Sequence, residues 1–120
     1  LYSNGGHNLP YIVHHDGSCR LLEKTAGIAL GVLKGAEYGR SRVKLNRNDI
    51  LVLYTDGVTE AMNKAGELMG SVLFEKVLAT LGSGNARNLT QGILAAVKGY
   101  AGGAQQSDDI TILAIKYEVG

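Results

Sequence analysis

Two carboxylate-bearing stretches have the residue types and surroundings to do chemistry. In the first, Ile50-Leu51-Val52-Leu53-Tyr54 runs into Thr55-Asp56-Gly57; in the second, Asp108-Asp109 opens onto Ile110-Thr111-Ile112-Leu113-Ala114-Ile115. The first apolar run is too short for a helix and too continuous for a half-exposed strand, so it reads as a strand covered on both faces. The second reads as another central strand. If the two are antiparallel neighbours, the end of one lies beside the start of the other, and Asp56, Asp108 and Asp109 converge at one sheet edge. Converging carboxylates repel each other unless a cation sits between them or one takes a proton. With oxygen donors only, and neither a second cysteine nor paired-histidine spacing, the ion to expect is hard: Mg²⁺, Mn²⁺ or Ca²⁺. Plainer readings stand beside this one. Asp-Gly is a turn signal in its own right, and Asp108-Asp109 can be a solvated strand entry or a cap.

The elements that must position these residues follow from turn chemistry and periodicity. Leu1–Ser3 reads as the end of a strand, and Asn4-Gly5-Gly6-His7-Asn8 as a polar turn, with Pro10 setting up an extended segment. Tyr11–His14 is a strand, His15-Asp16-Gly17-Ser18 a hairpin turn, and Cys19–Leu22 the returning strand. Asp16-Gly17 therefore matches the Asp56-Gly57 dipeptide in a place where turn geometry explains it fully. Gly27–Val32 reads as a buried loop or short edge strand, and Tyr38–Leu45 as a strand alternating Val43 and Leu45 with Arg42 and Lys44. Val58–Met62 suggests a short helical turn. Phe74, Val77, Leu78 and Leu81 form one helical stripe stopped by Gly82. Leu89, Ile93, Ala96, Val97 and Tyr100 form another, capped by Asn85 or Asn88 and ended by Gly99 and Gly102-Gly103. Gly92 inside that helix costs roughly 1 kcal/mol relative to alanine unless close packing needs the missing side chain. Hairpins followed by a helical pair and a last strand imply an α+β fold, an antiparallel sheet with helices on one face.

Composition bounds the rest. A chain of 120 residues, 45% hydrophobic and 19% charged, makes one domain. No stretch approaches the ~20 apolar residues of a membrane span. A net charge of +1 argues for neither nucleic acid nor a membrane surface, and Arg40, Arg42, Lys44 and Arg47 read as a solvated face. The lone Cys19 leaves no internal disulfide and fits a reducing, cytoplasmic setting. Opening on Leu1 without an initiator methionine, the chain is expected to be a fragment whose missing part holds half of any site.

Four ordered stretches carry a family resemblance: Tyr2-Ser3-Asn4-Gly5-Gly6-His7-Asn8-Leu9-Pro10, Gly27-Ile28-Ala29-Leu30-Gly31-Val32, Leu53-Tyr54-Thr55-Asp56-Gly57-Val58-Thr59-Glu60-Ala61 and Gln106-Ser107-Asp108-Asp109-Ile110-Thr111. Together they resemble the SpoIIE/RsbU-like branch of the metal-dependent serine/threonine protein phosphatases. Departures are Gly5 for the usual alanine, Leu9 and Ala29 for proline, and Asn48 for the glycine common before the aspartate. The resemblance implies an αββα four-layer sandwich of antiparallel sheets flanked by helices, of which residues 1–120 would be the C-terminal part of a single, N-terminally truncated domain. It implies a site binding two Mn²⁺ or Mg²⁺ ions, with Asp56 and Asp108 as catalytic metal ligands and Asp109 supporting them. The reaction implied is hydrolysis of phosphoserine or phosphothreonine on a protein, a bacterial signalling regulator of the anti-anti-sigma type, without a covalent phosphoenzyme. The family's earlier Asp-Gly, whose aspartate bridges both metals, and a glycine-histidine-glycine segment would lie upstream, so the residues present are expected to be inactive alone.

His7 is expected to make a structural hydrogen bond, with general-base work open to it. His14 and His15 are expected to face solvent, and Glu60 either orients water or caps the short helix. Two other readings compete: a non-catalytic phosphatase-like module that binds a partner, and a Ca²⁺- or Mg²⁺-stabilised binding domain. The expected partner is a phosphorylated protein, with no nucleic acid and no membrane in this segment. Exposed sheet edges could pair two copies into a homodimer.

Overall fold

The computed structural model describes residues 1–106 and 108–119; Ser107, part of the last motif above, lies outside the described residues. Strands β1 (Tyr11–Val13), β2 (Cys19–Leu21), β3 (Ile50–Tyr54) and β4 (Ile112–Lys116) form one antiparallel sheet in the order β2-β1-β3-β4. Helices α1 (Asp56–Thr59), α2 (Gly70–Leu81) and α3 (Ala86–Ala101) fall between β3 and β4. No helix among the described residues is long and apolar enough to cross a membrane.

Strand alternation divides the sheet into two unlike faces. Tyr11, Val13, Ile50, Val52 and Tyr54 point to the face covered by α2 and α3, where they join Phe74, Leu78, Leu89, Ile93 and Val97 in one core. Phe74 meets Tyr54 and Tyr11 edge-on at centroid distances of 4.8 and 5.6 Å, contacts that add about 0.5–1.5 kcal/mol each beyond burial. The other face carries Ile12, Leu51, Leu53, Leu113 and Ile115, which the register places opposite one another. β3 is thus covered on one face, not on both as its apolar run suggested: Ile50, Val52 and Tyr54 are buried while Leu51 and Leu53 are half-buried. The reason is that both long helices pack on the same side.

The helical stripes form as their periodicity requires. The Asn85 side chain caps α3 by accepting from the Asn88 amide at 3.1 Å, and Gly102, at φ 57°, ends it in the left-handed conformation, so that of the expected glycine stops Gly99 lies inside the helix and Gly102 closes it. A Cβ on Gly92 would sit 2.5 Å from Leu81 Cδ2, so close approach of α2 and α3 is what the missing side chain provides. Asn48 takes φ 71°; asparagine tolerates this region better than other residues with a side chain, so it can stand where glycine is common.

Three segments differ from expectation. Tyr38–Leu45 forms no strand; its ladder is the single bridge from Ser41 to Tyr2, which is also all that Leu1–Ser3 contributes. Gly27–Val32 is an exposed loop rather than a buried one, with Leu30 72% and Val32 71% exposed: Gly6 packs on Ala29, the Leu30 amide donates to the Gly5 carbonyl at 2.8 Å and the Tyr38 ring packs on Gly27, contacts that hold its backbone and leave these side chains uncovered. His14 is half-buried rather than solvent-facing, its Nδ1 3.2 Å from the carboxylate of the buried Asp49, because the turn before β3 folds back beside the end of β1.

Candidate metal and phosphoryl site

Asp56 stands two residues beyond the end of β3, as the first residue of α1. The β3–β4 register, which pairs Tyr54 with Ile112, continues past the strand: the Thr55 amide donates to the Thr111 carbonyl at 3.1 Å. The Thr55 hydroxyl donates to the Asp109 carbonyl at 2.8 Å and accepts from the Thr111 amide at 2.9 Å. Thr55 thereby ties the Asp56 turn to the entry of β4 through both its backbone and its side chain.

Gly57 completes the junction. A Cβ at this position would overlap the Asp109 carbonyl oxygen and lie 3.1 Å from that of Asp108, so the two acidic segments touch through backbone at a glycine. This separates Asp56-Gly57 from Asp16-Gly17, where the glycine serves a left-handed turn at φ 89°. There the Asp16 carboxylate accepts from the Ser18 hydroxyl and amide at 2.6 and 2.9 Å, which hold it below the usual carboxylate range. Within the second segment, Asp108 accepts from the Asp109 amide at 2.7 Å and its carbonyl accepts from the Gln106 side-chain amide at 2.8 Å.

Asp56 also has a partner to which the sequence reading assigned no role. The Asn8 side-chain amide donates to Asp56 Oδ1 at 2.8 Å. Its position follows from the β1–β3 register, which pairs Tyr11 with Val52 and, continued backward, sets Asn8 opposite Thr55. Tyr54 secures the approach by donating from its hydroxyl to the Leu9 carbonyl at 3.1 Å. Burial, with the nearby charges of Asp56 and Glu75, pushes the Tyr54 phenol above its ordinary value, so it remains a neutral donor. The only sequence sign of this role was the place of Asn8 in the Gly-Gly-His-Asn turn.

His7 is exposed, with Nδ1 3.0 Å from the Asn8 carbonyl, an arrangement in which the Nδ1–H tautomer donates. This is the structural bond expected of it. The Glu60 amide closes α1 onto the Asp56 carbonyl at 2.8 Å, and its exposed side chain extends from the end of that turn. Cys19 lies on β2 with its thiol pushed up by burial and by the Glu75 charge, so the thiolate a nucleophile requires is disfavoured.

Divalent cations are what the resemblance implies, and the residues present supply donors of the right chemistry without forming a metal site by themselves. Asp56, Asp108 and Asp109 offer hard oxygen donors from two segments locked together at Gly57, and Asn8 orients one of the carboxylates. Among the described residues there is no group of three or more histidine, cysteine, aspartate or glutamate side chains placed to hold an ion. The expected convergence of Asp56, Asp108 and Asp109 is therefore met by their backbones at Gly57 and not by three carboxylates grouped around one ion.

Comparison with known proteins places this architecture. The chain is 31% identical over 118 residues to protein IcfG of Synechocystis sp., covering 95% of this chain and 18% of that protein. Its fold superposes on the SiaA-PP2C domain of Pseudomonas aeruginosa with a TM-score of 0.75 at 24% identity, covering 94% of this chain and 44% of that one. The RsbU and RsbW domains of a Mycobacterium tuberculosis protein match at TM-score 0.71 and 30% identity, over 98% and 32%. The phosphatase domain of SpoIIE from Bacillus subtilis, presoaked with Mn, matches at 0.69 and 14%, over 97% and 49%. The chain thus spans less than half the length of each of these proteins, and its sheet and helices correspond to part of a PP2C-type domain. Residues 1–118 match the family of Stage II sporulation protein E, and the chain belongs to that SpoIIE family.

Proposed function

We propose that residues 1–120 are the C-terminal part of a single SpoIIE-like phosphatase domain that hydrolyses phosphoserine or phosphothreonine on a protein substrate, in a cytoplasmic bacterial signalling pathway of the anti-anti-sigma type. Asp56 and Asp108 are the ligands for Mn²⁺ or Mg²⁺ in this reading, and Asp109 supports them from the same loop. The observation that carries it is the Gly57 junction, which presses the Asp56 turn against the Asp108-Asp109 backbone with no side chain between them. Bound cations supply neutralisation of the phosphoryl oxygens and a water of lowered pKa. The chain's own contribution is to hold the Asp56 carboxylate through Asn8, to keep the two acidic segments in register through Thr55, and to offer no activated thiol in competition.

The partial donor set supports weak metal binding and negligible turnover by these residues alone, and full activity when the rest of the domain completes the site. The test is a phosphopeptide assay with Mn²⁺ titrated into this chain and into the full-length protein. Turnover is expected in the second only, and Asp56→Asn should abolish it while leaving the melting curve in place. Retained activity in Asp56→Asn would remove Asp56 from the ligand set. Absence of activity in the unmodified full-length protein would favour the alternative, a non-catalytic phosphatase-like module that binds a partner.

A further inference from the structure

Beside the carboxylate junction, the turn at residues 4–9 and the segment at 24–27 enclose a cavity of about 340 Å³. Its walls include Asn4, His7, Asn8, Lys24 and Thr25, and among the described residues no acidic side chain lines it. The walls are built without help from a ligand. Asn4 Oδ1 accepts from the Gly6 and His7 amides at 3.0 and 2.7 Å, and its Nδ2 donates to the His7 carbonyl at 3.0 Å. The Asn4 amide donates to the hydroxyl of the buried Thr25 at 2.8 Å, and Gly6, at φ 94°, packs against the Ala29 backbone.

Two side chains that line this pocket, Asn8 and Lys24, keep donor capacity. Asn8 spends one amide N–H on Asp56 and retains the other. The Lys24 ammonium takes part in neither of the ion pairs found among the described residues. Asn8 is shared between the pocket and Asp56, so whatever the pocket holds lies next to the candidate metal ligands. We propose that this pocket is an anion subsite of the phosphoprotein substrate, in which Lys24, with Asn8, receives an anionic oxygen group: the phosphoryl group itself or a carboxylate beside the phosphorylated residue. The substrate assignment rests on the phosphatase reading above; the anion site does not.

The two are separable by experiment. Inorganic phosphate is titrated into the full chain without divalent metal and followed by backbone amide NMR, in the unmodified protein, Lys24→Gln and Lys24→Arg. Saturable shifts are expected at Gly6, His7, Lys24 and Thr25, weakened roughly tenfold in Lys24→Gln, the loss expected for one charge-assisted hydrogen bond, and kept in Lys24→Arg. Lys24 is exposed, so melting curves should coincide. No saturable shift, or equal shifts in Lys24→Gln, overturns the site whether or not the protein is a phosphatase. In the active full-length protein, a raised KM in Lys24→Gln for p-nitrophenyl phosphate as well as for peptides assigns the phosphoryl group. A rise confined to peptides with Asp or Glu beside the phosphoserine assigns the flanking carboxylate. Unchanged KM for all of them overturns the substrate role.

Discussion

At Asp56 one carboxylate oxygen is already engaged, by the Asn8 amide at 2.8 Å, before any ligand arrives. A neutral donor of this kind fixes the rotamer of a carboxylate without neutralising it, which suits the cation-binding role proposed for Asp56. Partners behind metal ligands of this type are worth roughly 10- to 100-fold in metal affinity. Asn8→Ala in the full-length protein should therefore weaken Mn²⁺ binding by about that factor in isothermal titration calorimetry, with little change in melting temperature. Unaltered affinity would reduce the contact to packing. Asn8 stood inside a quoted motif without a role, since nothing in a Gly-Gly-His-Asn turn states which strand end it will sit against. The placement of Asp56 and Asp108 at adjoining strand ends was legible because each borders an apolar strand run; the pocket beside Lys24, on an irregular segment, was not.

At the scale of elements, two glycines with crowded neighbours should behave differently when given a methyl group. Gly57 faces main chain, the carbonyls of Asp109 and Asp108, which can yield only by moving the entry to β4. Gly57→Ala should cost about 1–3 kcal/mol in urea unfolding, as over-packing does. Gly92 faces the tip of Leu81, a side chain 38% exposed at the end of α2 and free to rotate away. Helix propensity returns roughly 1 kcal/mol there, so Gly92→Ala should leave unfolding free energy within about 1 kcal/mol of the parent. If Gly57→Ala proved as mild as Gly92→Ala, the acidic segments would not be in the contact that carries the proposed site. Periodicity made α2 and α3 legible, and their packing on one common face was not. The same limit applies to Tyr38–Leu45, where alternation of Val43 and Leu45 with charged residues suggested a strand. Alternation records a preference for extended backbone, whereas a ladder also needs a neighbouring strand, and here the bridge from Ser41 to Tyr2 is all that forms.

The whole molecule is a slab of 43 × 39 × 20 Å, and 20 Å is close to one sheet plus one layer of helices. The side of the sheet away from α2 and α3 presents Leu113 at 53% and Ile115 at 49% exposure, with Leu51 and Leu53 half-buried beside them. An apolar face of this kind favours association. At rising concentration this chain, expressed alone, should sediment heavier than its 12.7 kDa, and a Leu113→Lys, Ile115→Lys double variant should return it toward the monomer. A monomer at all concentrations would retire the homodimer expectation.

By itself the sequence determined the local quantities: the runs that form β1 to β4, α2 and α3, where α3 is capped, that the donors at the candidate site are hard oxygens, and, through four ordered motifs, the family. These are set by side-chain chemistry and by short-range backbone preference, both readable one segment at a time. Tertiary structure decided what depends on segments far apart in the chain. It put both helices on one face of β3, left the loop at residues 27–32 exposed, and swung His14 onto Asp49. It also laid Asn8 on Asp56, 48 residues away, and brought Gly57 against the backbone of Asp108-Asp109. Such contacts follow from strand register and helix placement, which maximise burial over the whole molecule and leave no mark in any single stretch of sequence.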